Sequence, residues 1–480
     1  MKLFEPIALG PVALPNRIAV TAMVTRLSGA DGFVNDRVVE RYRRFAEGGA
    51  GLIVVEATSV HGGKSGPLLR ASADEFVPGL ARLAESCHAV SPAKVFLQII
   101  HFLKIARSGW RQKIADLSRA ELGTLPALFA RAAVRAQTAG FDGVELHMAH
   151  AYTLSSMLSR SNKRGDEYGK SLENRMRLPS MVLETVRERV GDEYPVGVRF
   201  DAEECIKNGY SLPDSTEFAL RFAELGASYL SLSAGGKFED AIHRPGAPLY
   251  PYTGYSGDRC MPGARYPDGC NLHMAEVIRR ALRSRGFATP VVGSGKIPFA
   301  LAERALEEER CDIVGMARPL LADPYLPAKL RGGRWSEIIR CIYCNVCKNL
   351  DENFKLVRCY LWPKDSIHAP RPGEVRYAEL AWPSEDPLEA HASRGRIELG
   401  WPALGALGYD VFRSVNGCEF DRLLATTRCH AIDAMAVSGR DHAYYVQAYD
   451  RSGRRGLPSN IVVARLPDWR DARADRSDND

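Results

Sequence analysis

Residues 126–152 read PALFARAAVRAQTAGFDGVELHMAHAY, and the change of rhythm midway decides the fold. Apolar residues return at helical spacing up to Ala139; the short run Asp142–His147, centred on Val144 and Leu146, breaks that spacing. A short, nearly continuous apolar run beside an amphipathic helix belongs to a parallel sheet covered by helices. The unit recurs. Apolar runs fall at Arg17–Met23, Gly51–Ala57, Lys94–Ile100, Asp142–His147, Pro195–Phe200, Ser228–Ser233, Thr289–Gly293 and Asp312–Ala317. Most are followed by helical spacing, as in Val38–Gly48, Pro126–Ala139, Leu172–Val190, Asp214–Leu225, Met274–Arg285 and Pro298–Glu309. Eight such units predict a closed (β/α)8 barrel (a TIM barrel) rather than an open doubly wound sheet. The Gly-, Pro- and Tyr-rich stretch Ala234–Asn271 is then expected to be a lid after the sixth strand.

The pattern changes after residues 365–373, a Pro- and Gly-containing linker. Gly395–Trp401, Gly408–Val415, Phe420–Thr426, His442–Tyr449 and Asn460–Arg465 alternate in short runs separated by turns such as Asn416-Gly417 and Ser452-Gly453. That signature predicts a small all-β sandwich. The segments Gly408–Ser414 and Tyr444–Asp450 resemble a fibronectin type III module. The expected organisation is a barrel over 1–335, a cysteine-bearing segment over 336–365, a sandwich over 374–468 and a charged, disordered tail over 469–480.

Composition narrows the function classes. The chain has 480 residues, 45% hydrophobic and 25% charged, as in soluble globular proteins, and a net charge of only +6. The basic run Arg41-Tyr42-Arg43-Arg44 reads as a solvated helix face, so no nucleic-acid partner is expected. No apolar stretch reaches membrane-spanning length, and the first residues lack a leader pattern. Eleven cysteines, an odd number, do not form a secreted disulfide framework, and a reducing cytoplasm is the expected home.

Four of those cysteines, Cys341, Cys344, Cys347 and Cys359, read C-x2-C-x2-C-x11-C. Four soft thiolates that can converge on four irons point to a [4Fe-4S] cluster. Zinc and a disulfide within C-x2-C are the alternatives.

On a barrel, reactive groups sit at the C-terminal strand ends. Here those ends carry Met23 and Val24, Glu56 and Ala57, Gln98 and His101, His147 and His150, and Arg199 and Asp201. The seventh gives Gly293-Ser294-Gly295-Lys296 and the eighth Gly315-Met316-Ala317-Arg318, two small-residue turns each closed by a cation. Adjacent turns of that kind after strands seven and eight make a phosphate site.

These segments resemble the old yellow enzyme family, in its Fe–S-bearing branch with 2,4-dienoyl-CoA reductase and trimethylamine dehydrogenase. The likeness rests on Leu3–Arg17, Gly49–Glu56, Gly140–Tyr152, Asn162–Arg175, Gly315–Pro324 and the cysteines, across about residues 1–365. It implies FMN and a [4Fe-4S] cluster. Met23, Val24, Ala57, Gln98 and Arg199 would line the isoalloxazine, and Gly295, Lys296, Ala317 and Arg318 would hold its phosphate. His147 and His150 would grip a substrate carbonyl, with Tyr152 as proton donor. His243 in the long loop is a further candidate acid or substrate contact.

The implied reaction is reduction of the C=C bond of an α,β-unsaturated carbonyl or enoyl thioester, or the reverse dehydrogenation. The alternatives are an amine dehydrogenase of the trimethylamine dehydrogenase type and a non-catalytic electron-transfer or scaffold subunit. Three departures stand out. Val24 takes a place where the family often has Thr or Cys; the family's H-x-G-R reads His101-Phe102-Leu103-Lys104; and trimethylamine dehydrogenase has Tyr where this chain has His147, which argues against amine oxidation. No G-x-G-x-x-G follows residue 365, so the expected electron source is a separate flavoprotein or ferredoxin, or NAD(P)H meeting FMN directly. The β module is expected to dock a partner, a second protomer in a homo-oligomer, or substrate.

Overall fold

A computed structural model describes residues 1–63, 66–103, 113–236, 254–264, 266–363, 365–374, 380–384, 386–393, 395–416, 420–451 and 453–467. Two compact units result: 1–262 with 268–327 and 347–358, and 263–267 with 328–346 and 359–480.

The first unit opens with a hairpin, β1 (Ile7–Leu9) and β2 (Val12–Leu14). Eight parallel strands follow: β3 (Ile18–Val20), β4 (Leu52–Ser59), β5 (Lys94–Ile100), β6 (Gly143–Met148), β7 (Val196–Asp201), β8 (Tyr229–Ser233), β9 (Val291–Gly293) and β10 (Ile313–Gly315). They close into a barrel when β10 pairs with β3. All eight lie where the apolar runs place them. The hairpin was not expected; its Leu9 and Leu14 join Ala19, Leu52, Val54, Phe96, Tyr229, Val292 and Ile313 in one buried cluster inside the barrel. Each Å2 of apolar surface that this cluster removes from water contributes about 25 cal/mol to stability.

Several helices differ from expectation. The helix expected from Pro126 begins seven residues upstream at Arg119, because Ser118 and Glu121 form a reciprocal capping box there. Pro126 is carried inside the helix rather than starting it. The helix Val77–His88 was not anticipated; Pro78 sits in its first turn, where a missing N–H costs nothing.

The second unit holds two antiparallel sheets. One is β11 (Glu389–Ser393), β12 (Arg396–Gly400) and β15 (His430–Asp433). The other is β13 (Gly408–Val415), β14 (Asp421–Thr426), β16 (Asp441–Tyr449), β17 (Arg455–Pro458) and β18 (Val462–Arg465). Residues of both sheets, among them Ile397, Leu399, Val411, Tyr444 and Val446, share one core. The all-β region is therefore present. Strand β11 escaped sequence reading because almost all of it faces solvent, and β15 and β17 because alternation over four residues is too short a signal. The tail 469–480, His243, Lys104, Gly417 and Ser452 lie outside the described residues, as do residues 237–253 and 265 of the Ala234–Asn271 stretch. No described helix is long and apolar enough to cross a membrane.

Candidate active site

Strand register brings the candidate residues together in layers. Gln98 on β5 stands opposite Glu145 on β6, Glu145 opposite Gly197 on β7, and Gly197 opposite Tyr229 on β8. Two residues further along, His147, Arg199 and Ser231 form the next row. Side chains two apart share a strand face, so these rows stack. Gln98, His147 and Arg199 are all buried.

His147 is the best-defined group. The Ala149 N–H donates to its Nδ1 at 3.2 Å. Burial, with Arg199 nearby, lowers its pKa to about 3, so the ring is neutral at ordinary pH. With Nδ1 accepting, the proton sits on Nε2, which is left as a donor. The His150 ring lies 5.0 Å from that of His147, and the Tyr152 ring 5.5 Å, both edge-on. The three predicted catalytic side chains therefore meet.

Local backbone explains how. His150 and Ala151 both take left-handed conformations, φ 62° and 63°, which cost a non-glycine residue about 1–3 kcal/mol each. The surroundings impose them. The His150 N–H donates to Asp201 Oδ2 at 2.7 Å, and the His150 backbone bridges Gly236, where a Cβ would come within 2.6 Å of the His150 carbonyl carbon. His150 Nε2 also pairs with Ser233 Oγ at 2.7 Å, which fixes the ring. Asp201 is fully buried, and burial pushes its carboxyl well up.

One wall is apolar: Val24, Ala57, Leu68, Ile100, Phe102 and Tyr152 cluster together. His101 bonds Thr153 Oγ1 at 3.0 Å, and burial together with His61 lowers its pKa to about 3. Sequence reasoning missed His61, whose ring packs 4.6 Å from those of His101 and Phe102. It also missed Glu145, although Glu145 and His147 are two residues apart on one strand and must share a face.

The turns after β9 and β10 stand side by side, Val314 pairing with Gly293. Gly295 adopts φ 113°, and a Cβ there would meet the Asn271 side chain at 2.7 Å. The Ser294 hydroxyl is buried without a hydrogen-bond partner among the described residues. Lys296 is mostly buried and pairs with Asp268 at 3.3 Å; burial depresses its pKa, Asp268 opposes that, and Arg318 depresses it further. Arg318 donates to the Pro262 carbonyl at 2.8 Å. Two buried cations that disfavour each other, beside an orphaned hydroxyl, fit an anion such as the FMN phosphate.

Cys341, Cys344, Cys347 and Cys359 are thiols rather than disulfides. The Tyr343 N–H donates to Cys341 Sγ at 3.4 Å, and left-handed Tyr343 and Asn345 turn the chain between the cysteines. Cys347 falls in the first compact unit and the other three in the second. Among the described residues no three His, Cys, Asp or Glu side chains are gathered closely enough to hold a metal ion. The donor chemistry, four soft thiols, suits iron–sulfur.

The neutral histidines have a consequence for stability. An unfolded histidine takes up its proton near pH 6.5, whereas His101 and His147 resist until about 3. Their contribution is intact above pH 6.5 and is lost as pH falls from there toward 3, by about 1.4 kcal/mol per pH unit for each ring. The urea midpoint should drop between pH 7 and 5. His101→Asn should flatten that drop; a slope indifferent to this substitution would show that His101 is not held neutral.

A family model of NADH:flavin oxidoreductases and NADH oxidases matches residues 2–121 and 104–246. An NADH oxidase of Thermoanaerobacter brockii is 33% identical over 366 residues, 72% of this chain and 53% of the relative. A solved 2-naphthoyl-CoA reductase bound to 2-naphthoyl-CoA superposes with a TM-score of 0.65 at 26% identity, over 75% of this chain and 56% of that one. Histamine dehydrogenase from Rhizobium sp. 4-9 gives 0.63 at 29%, over 75% and 52%. The chain thus spans about half the length of these relatives. With its closed parallel barrel and its reactive strand ends, the chain belongs to the NADH:flavin oxidoreductase / NADH oxidase family, the old yellow enzyme type of flavin oxidoreductase.

Proposed function

We propose that this protein is an FMN-dependent reductase of carbon–carbon double bonds conjugated to a carbonyl, in an enone or enoyl thioester. The observation that carries the reading is the neutral His147 with Nε2–H free to donate, set against His150 and Tyr152. Met23, Val24, Ala57, Gln98 and Arg199 would line the flavin ring, and Gly295, Lys296, Ala317 and Arg318 its phosphate. FMN, when bound and reduced, supplies a hydride. As the β-carbon of the substrate gains that hydride, negative charge builds on the carbonyl oxygen. His147 Nε2–H and the His150 ring stabilise it as an enolate, and a neutral donor does so without a buried ion pair to desolvate. The Tyr152 hydroxyl delivers a proton to the α-carbon and regains one from water. The apolar wall of Ile100, Phe102 and Leu68 excludes water from the alkene.

Residues 336–365 would bind a [4Fe-4S] cluster through Cys341, Cys344, Cys347 and Cys359, supported by the spacing and by the Tyr343 N–H aimed at Cys341 sulfur. The electron donor would be a separate flavoprotein or ferredoxin, or NAD(P)H. The two-sheet C-terminal region supports a fibronectin type III-like reading. Amine oxidation is the second reading, favoured by the likeness to histamine dehydrogenase.

The test is anaerobic. Purified protein should show flavin absorbance, about four irons per chain, and bleaching by dithionite or a pyridine nucleotide. Reduced protein should reoxidise on adding an α,β-unsaturated ketone and yield the saturated ketone. Oxidised protein bleached by an amine, with no enone turnover, would overturn the ene-reductase reading in favour of the second. Reduced protein that no enone reoxidises, together with oxidised protein that no amine bleaches, would overturn both.

A further inference from the structure

Behind the ring-lining residues lies a carboxylate that the proposed reaction leaves without a role. Glu145 is buried in the barrel interior. It accepts from Gln98 Nε2 at 2.6 Å through one oxygen and from the Tyr229 hydroxyl at 2.9 Å through the other. Burial pushes its pKa up; Arg199 is the strongest opposing influence, followed by Gln98, Tyr229 and Ser231. Arg199 in turn donates to Ser231 Oγ at 2.9 Å. One acidic side chain thus holds Gln98 directly and lies within electrostatic reach of Arg199, as does Asp201.

The consequence for Gln98 is directional. A carboxylate accepts only, so the Gln98 amide must turn its NH2 toward Glu145 and leave its carbonyl oxygen for another partner. The pyrimidine edge of an isoalloxazine carries one imide N–H donor between two carbonyl acceptors. A glutamine with its orientation fixed in this way can meet the donor, whereas a freely flipping amide would meet each kind of group half the time. The consequence for Arg199 is electrostatic. A guanidinium near the flavin favours the anionic reduced ring, and a carboxylate behind it cancels part of that field.

We infer that Glu145 is a positioning residue for the flavin: it fixes the Gln98 amide with its oxygen outward and, through its charge opposite Arg199, holds the flavin reduction potential down. The inference rests on the proposed FMN site. Wild-type protein that binds no FMN would sink that site, and the inference with it, before any variant is made.

The test compares Glu145→Gln and Glu145→Asp with wild type, reading FMN dissociation constants by fluorescence and the two-electron midpoint potential by spectroelectrochemistry. Glu145→Gln removes the charge and gives Gln98 a donor to face, so FMN affinity should fall at least tenfold. Its flavin should become easier to reduce by at least tenfold in the equilibrium constant, about 30 mV upward for a two-electron couple. Glu145→Asp keeps the charge but withdraws it from Gln98 by one methylene; affinity should again fall at least tenfold while the potential stays near that of wild type. A carboxylate with only a packing role would lower stability in both variants and leave the potential of bound flavin unmoved, and that result would overturn the inference. An unchanged affinity in Glu145→Asp would overturn the Gln98 half on its own. If Glu145→Gln does not fold, Glu145→Asp still decides the positioning half.

Discussion

Enone reduction by the His147→Ala/His150→Ala variant is expected to fall at least 1000-fold in kcat, with FMN still bound. Removing one oxyanion donor typically costs about 100- to 1000-fold. The two rings meet edge-on at 5.0 Å on one short turn, so in the proposed reaction they would serve the same oxygen and their losses would not simply add. The single variants should be unequal. His147 points a defined Nε2–H, with Nδ1 already satisfied by the Ala149 N–H, whereas Nε2 of His150 is engaged with Ser233. His147→Ala should therefore carry most of the loss, and His150→Ala roughly tenfold. Because both rings lie apart from the Lys296 and Arg318 turns, the FMN dissociation constant should stay within a few-fold of wild type. Stopped-flow reoxidation of reduced protein by an enone separates the two quantities. Unaltered turnover in the double variant would remove these histidines from the chemistry altogether.

The barrel was legible because its strands are buried on both sides. A run such as Lys94–Ile100 has no polar face to break the apolar pattern, and its observed limits are the expected ones. The turn after β9 was legible for a different reason: Gly295 adopts φ 113°, a conformation that favours glycine, and residue type signals such a turn. What escaped was everything set by register between strands. Nothing local to residue 145 says that Gln98 stands opposite it, or that Tyr229, 84 residues away, reaches it by its hydroxyl. His61 escaped likewise, since its packing on His101 depends on how the loop after β4 folds back. The β1–β2 hairpin was overlooked because three-residue strands carry no period to read.

The same register makes Gly197→Ala a strongly destabilising substitution for a single added methyl. Tyr229 reaches Glu145 by crossing the barrel over Gly197, its register partner, and a Cβ at 197 would lie 2.1 Å from the Tyr229 ring. Relief is blocked on the far side by Phe96, whose ring sits 5.8 Å from that of Tyr229 and itself occupies the space left by Gly143. Two glycines thus make room for two aromatic rings in the barrel floor. Overpacking a filled core costs about 1–3 kcal/mol. Displacing the tyrosine also strips a hydrogen bond from a buried carboxylate, worth about 1.5–3 kcal/mol. A total near 4 kcal/mol should lower the melting temperature of a unit of about 330 residues by about 6 °C. The cause can be separated from general fragility by a double-mutant cycle. Tyr229→Leu vacates the space above residue 197, so in that background Gly197→Ala should cost less than about 1 kcal/mol, a coupling well above the scatter of independent sites. Additive losses would place the strain in the β7 backbone instead of in the Gly197–Tyr229 contact.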